Sequence, residues 1–269
     1  MRKSATLLLA QITLRATLRD RVLHMLLGAG FFILLLVPAF SLFSMRQVQE
    51  LAITLVLSII SLFLLVSAVL LGTSSIWRDI ECHSTASVLG LPISRTAYVL
   101  GKFFGTAFFL SLSSFFLGMV SSAVMALAAA QYPAQQPILW GTFAYAVFFY
   151  SCKYILLAAV ALLFSAISTS FFLPVFGTIA IFMAGSASQE VMAYLSSDKV
   201  VQLSAVSKSV TKALYYILPN FSAFDLNVYA IYSLPLPLFG LAYTFAYFLV
   251  YTAIILLLAA WSFAKRELT

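Results

Sequence analysis

One basic residue lies inside a long apolar run, and this is the most unusual placement of a charge in the chain. Lys153 is the only charged residue of its run, and Tyr150 and Tyr154 flank it. An intramembrane charge costs about 2.5–3.5 kcal/mol on insertion scales, so such a residue is a candidate for function. We expect Lys153, with the two tyrosines, to line a translocation path and to pair with Glu50 or Glu190. The alternative is a structural ion pair or a snorkelled lysine.

The most polar stretch of the chain, residues 77–102, has the composition of a docking surface. Its charge is mixed, and Leu89 lies in a short apolar stretch that predicts a helix. Pro92 would end that helix, and Ser94 would cap the next one. A short helix held between two apolar runs could contact a soluble partner, although a solvated loop is the alternative.

The residue types needed for metal binding or catalysis are not clustered. Cys82 and Cys152 are isolated in sequence, as are the two histidines, so no metal site is expected. The pair Gly101-Lys102 is followed by phenylalanine, which does not fit a phosphate-binding loop. No metalloprotease or serine-hydrolase motif occurs either. The chain is therefore expected to be neither an ATPase nor another enzyme, and to bind no cofactor itself.

The composition excludes most soluble classes. Of the 269 residues, 63% are hydrophobic and only 9% are charged, whereas soluble domains are about 25% charged. Fifteen Lys and Arg face eight Asp and Glu. In so apolar a chain this excess indicates basic membrane flanks rather than binding to nucleic acid. The sequence predicts an all-α polytopic membrane protein.

Six apolar runs are long enough to cross a bilayer as helices. They are predicted over residues 25–43, 51–76, 103–130, 138–164, 171–189 and 235–264. With both termini inside, ten of the fifteen Lys and Arg lie on the cytoplasmic side and four outside, besides Lys153. This asymmetry predicts an N-in, C-in topology in a bacterial inner membrane.

Two further segments are predicted beside the spans. Residues 1–23 are expected to form an interfacial helix, since arginine side chains can snorkel from a helix at the membrane surface. Residues 190–234 are expected to form an outer interfacial segment containing an amphipathic helix that ends at Pro219. That segment is a platform or gate on one interpretation and a packing helix on the other.

The order of several motifs resembles the permease subunit of ABC-2 type exporters over essentially the whole chain. Glu81 is followed after ten residues by Pro92-Ile-Ser-Arg95 and then by Gly101-Lys102. Leu218-Pro-Asn-Phe-Ser-Ala-Phe-Asp225 resembles the family's Pro-Asn segment before the last span, and Phe263-Ala-Lys-Arg-Glu-Leu268 its basic end. The long outer segment resembles the branch that includes the nitrous-oxide-reductase accessory permease and multi-copper enzyme maturation permeases. His83-Ser84 replaces the Gly-Thr usual after the acid.

The resemblance implies a single ABC-2 type (type V exporter-like) transmembrane domain over residues 1–269. Two such permeases, more often identical than paired with a homologue, would bind two soluble ATPase subunits that carry ATP and magnesium. Residues 77–102 would contain the coupling helix, and the outer segment would contribute Pro219, Asn220 and Asp225. The implied ATPase-coupling residues are Arg78, Asp79, Glu81, His83, Leu89, Pro92, Ser94 and Arg95.

Several functions are compatible with these observations. The permease could export a substrate, or it could transmit ATP-driven motion to a periplasmic protein without any substrate crossing. A secondary transporter or a membrane assembly protein with no ATPase is the alternative from another class. Proton-coupled transport has little support, because outer acidic residues are few.

Overall fold

The computed structural model describes residues 2–41, 48–81, 94–131, 138–196 and 215–265. The described residues form helices and connecting turns, with no strand among them. Six of the helices are long and apolar enough to cross a membrane, as predicted. The helices are α1 (Arg2–Leu18), α2 (Arg21–Ser41), α3 (Val48–Glu81), α4 (Arg95–Gln131), α5 (Trp140–Ile167), α6 (Phe172–Ser196), a 3-10 turn (Ser222–Phe224), α7 (Asn227–Ile231) and α8 (Leu238–Lys265).

The helices α3 and α4 extend beyond the apolar runs from which they were predicted. They contain 34 and 37 residues, which is about 51 and 56 Å at 1.5 Å per residue. Because the hydrocarbon core is about 30 Å thick, both helices must project from it. We call the end of the bundle where they flank residues 82–93 the inner end, following the predicted topology, and the opposite end the outer end.

The predicted N-terminal helix is divided in two by a polar residue. The sequence predicts one helix over residues 1–23, whereas α1 ends at Leu18 and α2 begins at Arg21. The side chain of Asp20 accepts a hydrogen bond from the backbone N–H of Val22 at 2.9 Å. A carboxylate that satisfies a free N–H in this way favours a new helix start, so the chain turns here.

Close packing against glycines fixes α1 on α4. A Cβ atom added at Gly101 would lie 2.5 Å from the Cβ of Leu9, and one added at Gly105 would lie 2.6 Å from that of Thr13. Because residues four apart on one helix meet residues four apart on the other, the two helices run side by side in the same direction. A pair of glycines at this spacing lets two backbones approach closely.

The fourth span, α5, is the centre of the bundle. In its most apolar window, 83% of the residues are buried, against 22% in α2, 22% in α6 and 28% in α8. Here too a glycine permits the contact, since a Cβ at Gly72 of α3 would lie 2.4 Å from that of Ala161. A polar side chain on α5 is therefore held among neighbouring helices rather than facing lipid.

Candidate functional site

Lys153 lies at the middle of α5 and is buried. Its Nζ atom lies 5.8 Å from the ring centroid of Tyr150, 5.7 Å from that of Tyr154 and 5.4 Å from that of Phe182 on α6. Aromatic faces attract a cation at such distances. The three rings thus surround the ammonium group, and two of them belong to the tyrosines singled out from the sequence.

Among the residues that the structure describes, no carboxylate contacts this ammonium directly. Within the described residues, Lys153 makes no ion pair, and neither Glu50 nor Glu190 is paired with it, contrary to the predicted pairing. The acid that shares a cavity with Lys153 is Asp225, which sequence reasoning assigned to the outer segment. The charge is therefore balanced across an open space rather than in a closed pair.

That space is a cavity of about 310 Å³ between α3, α5, α6 and the segment before α8. It is lined by Ser58, Ser61, Leu62, Leu65, Tyr150, Lys153, Tyr154, Phe182, Asp225 and Asn227. The lining combines an ammonium, a carboxylate, hydroxyls and an amide. On the α3 side, Ser58 and Leu62 are exposed, so the cavity opens on that face of the molecule.

Hydrogen bonds fix the polar groups of the cavity. The Tyr150 hydroxyl donates to the side-chain oxygen of Asn227 at 2.6 Å. The hydroxyls of Tyr154 and Ser61 are 2.5 Å apart. The Asp225 carboxylate accepts the backbone N–H of Asn227 at 2.9 Å. These contacts join α3 and α5 to the start of α7 and orient the tyrosine hydroxyls.

The segment that carries Asp225 enters the bundle instead of crossing its outer end. Asn227 bonds to Tyr150, which lies ten residues after the first residue of α5, or about 15 Å along the helix. Tyr247 accepts the backbone N–H of Asn220 at 2.9 Å and lies nine residues into α8, or about 14 Å. Within the predicted outer interfacial segment, residues 190–196 instead continue α6 to Ser196, and residues 215–234 thus lie deeper than an interfacial position. The predicted amphipathic helix falls mostly on residues 197–214, outside the described residues.

The re-entrant segment, which we define as residues 215–234, packs closely on a glycine and through its own buried aromatic residues. A Cβ atom added at Gly185 of α6 would lie 2.3 Å from the carbonyl oxygen of Pro219 and 2.9 Å from the Phe221 ring. Phe221 and Phe224 are fully buried. Asn220 accepts the N–H of Ser222 at 3.1 Å through its side chain. Irregular backbone at membrane depth is tolerated where it is buried in protein or lines a cavity, and this segment does both.

The inner end of the bundle contains a different kind of polar cluster. Lys102 of α4 makes an ion pair of 2.6 Å with Asp79 of α3. The Tyr98 hydroxyl donates to the same carboxylate at 2.5 Å, and its ring stacks on Phe263 of α8 at 5.4 Å. The contacts tie the inner ends of α3, α4 and α8 together.

Arg95 adds a second tie between α4 and α8. Its guanidinium donates to the backbone carbonyl oxygen of Ala264 at 3.0 Å and to that of Phe263 at 3.4 Å. A cation at a helix C-terminus is favourable because the last carbonyls lack partners. Ser94 caps α4, as predicted, by accepting the backbone N–H of Ala97 at 3.3 Å.

Five of the predicted coupling residues lie at this inner end, and three lie outside the described residues. Arg78 contacts Asp20 at 3.7 Å, and Glu81 is exposed at the last residue of α3. The other three described residues, Asp79, Ser94 and Arg95, hold the ends of α3 and α4. His83, Leu89 and Pro92 fall within residues 82–93.

The bundle, its re-entrant segment and its mid-depth charge can be compared with known proteins. A family model described as "ABC-2 family transporter protein" matches residues 7–268. The chain belongs to the ABC-2 family of transporter proteins. As a member it is a permease component of an ABC transporter, multi-pass in its membrane and not itself catalytic. No curated protein matches the chain significantly.

Sequence reasoning missed six residues of the cavity. Four of them, Ser58, Ser61, Leu62 and Leu65, lie on one face of α3, and Phe182 and Asn227 complete the lining. Hydroxyls repeated on one face of an apolar span are a signal that could have identified the serines. Nothing in the sequence shows that the segment before α8 reaches α5, because that contact joins residues 77 positions apart.

Proposed function

We propose that this permease couples a separate ABC ATPase to movement at the Lys153 cavity. ATP hydrolysis, with its magnesium, takes place on the partner subunit. The observation that carries the proposal is the mid-depth cavity, where a buried ammonium faces Asp225 and Asn227 of the re-entrant segment. The cavity is open, and its lining is of mixed charge. These features favour a path for a polar solute over a contact that only packs helices together.

The ties at the inner end support the coupling role. Residues 82–93 connect α3 to α4, and Asp79, Lys102 and Arg95 bind these helices to each other and to α8. A force applied by an ATPase at residues 82–93 would therefore move three spans as one unit. We assign contact with the ATPase to this loop and to Glu81 and Arg95 beside it.

The complex we propose contains two copies of this chain and two ATPase subunits in a bacterial inner membrane. The cavity opens on the face of α3 that carries Ser58 and Leu62, and a second permease facing it would close the path. The alternative within this proposal is that the permease transmits motion to a periplasmic protein, and the length of the outer segment, residues 190–234, motivates it. A periplasmic protein that co-purifies would favour transmission of motion.

A pull-down from native membranes tests the coupling assignment. The tagged chain is purified in mild detergent beside Glu81→Lys, with Glu190→Lys as a matched charge reversal at the other end of the bundle. We expect a P-loop ATPase to co-purify with the wild type and with Glu190→Lys, and to be lost from Glu81→Lys. An ATPase absent from every sample in several detergents would contradict the proposal, and so would one retained equally by both variants.

A further inference from the structure

A groove at the inner end of the bundle is separate from the Lys153 cavity. It has a volume of about 740 Å³ and lies between the α1–α2 turn, α3 and α4. Its lining comprises Thr13, Ala16, Thr17, Arg19, Asp20, Arg21, Val22, Leu71, Ser74, Ser75, Arg78, Asp79, Lys102 and Thr106. Four of these residues are basic and two are acidic, so the groove favours an anion.

The acidic residues of the groove are already engaged. Asp79 pairs with Lys102 at 2.6 Å. Asp20 caps α2 and lies 3.7 Å from Arg78. Within the described residues, Arg19 and Arg21 have no carboxylate partner. The positive charge that is left over therefore belongs to these two arginines and partly to Arg78.

The position of the groove matches the headgroup level of a bilayer. Helix α2 contains 21 residues, or about 32 Å, which is close to the hydrocarbon thickness of about 30 Å. Its first residue, Arg21, therefore lies at the boundary of the hydrocarbon. Just beyond it, Val22 is 59% exposed and Met25 is 73% exposed, and these side chains provide an apolar surface for acyl chains.

We propose that this groove binds an anionic phospholipid. The phosphodiester contacts Arg19, Arg21 and Arg78, and the acyl chains pack on Val22 and Met25. Arginine suits this role because its planar fork matches phosphate oxygens. The bound lipid would fix the α1–α2 turn against α3, and hence hold α1 beside α4.

Native mass spectrometry of the purified full-length chain tests the assignment. The probes are dioleoyl-phosphatidylglycerol and dioleoyl-phosphatidylcholine, added at equal concentration. The variant Arg19→Gln/Arg21→Gln removes two charges from the groove, and Arg15→Gln/Lys265→Gln removes two exposed charges outside it. Arg19→Gln alone serves as a second variant that leaves the start of α2 intact.

We expect the wild type to prefer phosphatidylglycerol. Arg19→Gln/Arg21→Gln should lose affinity on the order of tenfold, and Arg19→Gln about threefold, whereas the control pair should change less than about twofold. No preference in the wild type, or an equal loss in the control pair, would overturn the proposal. Glycerol 3-phosphate should fail to displace the lipid. Displacement at equal concentration would indicate a free phosphate compound and overturn the lipid assignment.

Discussion

Two lysines of this chain, Lys102 and Lys153, are both shielded from solvent by neighbouring helices, but they are neutralised differently. Lys102 has a carboxylate at 2.6 Å and lies at the inner end of the bundle. Lys153 is surrounded by three aromatic rings, and its acid lies across a cavity of about 310 Å³. A direct pair binds two helices to each other, whereas an ammonium that faces a cavity stays available to a solute. We infer a structural role for Lys102 and a role in the path for Lys153.

This comparison gives predictions for the free energy of unfolding, measured by denaturant titration in mixed micelles. The largest decrease in this free energy is expected where the re-entrant segment packs on α6. Gly185→Val should destabilise the protein by about 3 kcal/mol, because its side chain would overlap the Pro219 carbonyl. Gly28→Val is the control, since a Cβ there meets nothing within 4 Å. Equal effects at the two glycines would show that the segment is not packed at this depth.

Breaking the Lys102 pair should give the next largest effect. Asp79→Ala removes the carboxylate from the Lys102 ammonium, whose side chain is only 16% exposed, and we expect a loss of about 2 kcal/mol. The double variant Asp79→Ala/Lys102→Met should recover most of it. Asp20→Asn removes the looser pair with Arg78 and should cost less than about 1 kcal/mol. If the double variant is no better than the single one, the pair does not hold α3 to α4.

A smaller effect is expected where α5 binds the re-entrant segment. Tyr150→Phe removes the hydroxyl that donates to Asn227, at a cost of about 1 kcal/mol. Tyr145→Phe removes a half-exposed hydroxyl from the same helix and should be nearly neutral. A neutral Tyr150→Phe would mean that this hydrogen bond does not stabilise the re-entrant segment.

A substitution at Lys153 is expected to change stability least and function most. Lys153→Met replaces a charge that no carboxylate of the described residues contacts, so the unfolding free energy should change by less than about 1 kcal/mol. The ATPase should still co-purify, but its coupled activity should fall severalfold. Lys102→Met should instead lower the free energy of unfolding, because it breaks the ion pair with Asp79. Loss of assembly in Lys153→Met would mark that lysine as structural.

The spans could be predicted from sequence because each depends on one continuous apolar run, and all six were found. The start of α4 was also predictable, since Ser94 caps it locally. The partner of Lys153 was not predictable in the same way. The predicted topology places Glu50 and Glu190 on the outer side of Lys153. Asp225, in contrast, reaches the cavity only because the re-entrant segment packs on Gly185. Such a contact depends on tertiary packing, which neither hydropathy nor helical period records.

The groove arginines illustrate the same limit at the other end of the molecule. The sequence places Arg19 and Arg21 in the predicted interfacial helix before the first span. Their convergence with Arg78 depends on the break at Asp20, which turns the chain between α1 and α2. The aspartate was visible as a helix-capping residue type, but its effect on the path of the chain was not.

The most direct test of the account is whether water reaches the Lys153 cavity. In a chain without native cysteines, Ser61→Cys and Ser67→Cys are treated with a charged, membrane-impermeant thiol reagent after reconstitution with both faces accessible. Ser61 lines the cavity, whereas Ser67 on the same helix is fully buried. We expect modification at position 61, slowed by Leu62→Trp at the mouth of the cavity, and none at position 67. Protection of position 61 equal to that of position 67 would contradict a path through this cavity.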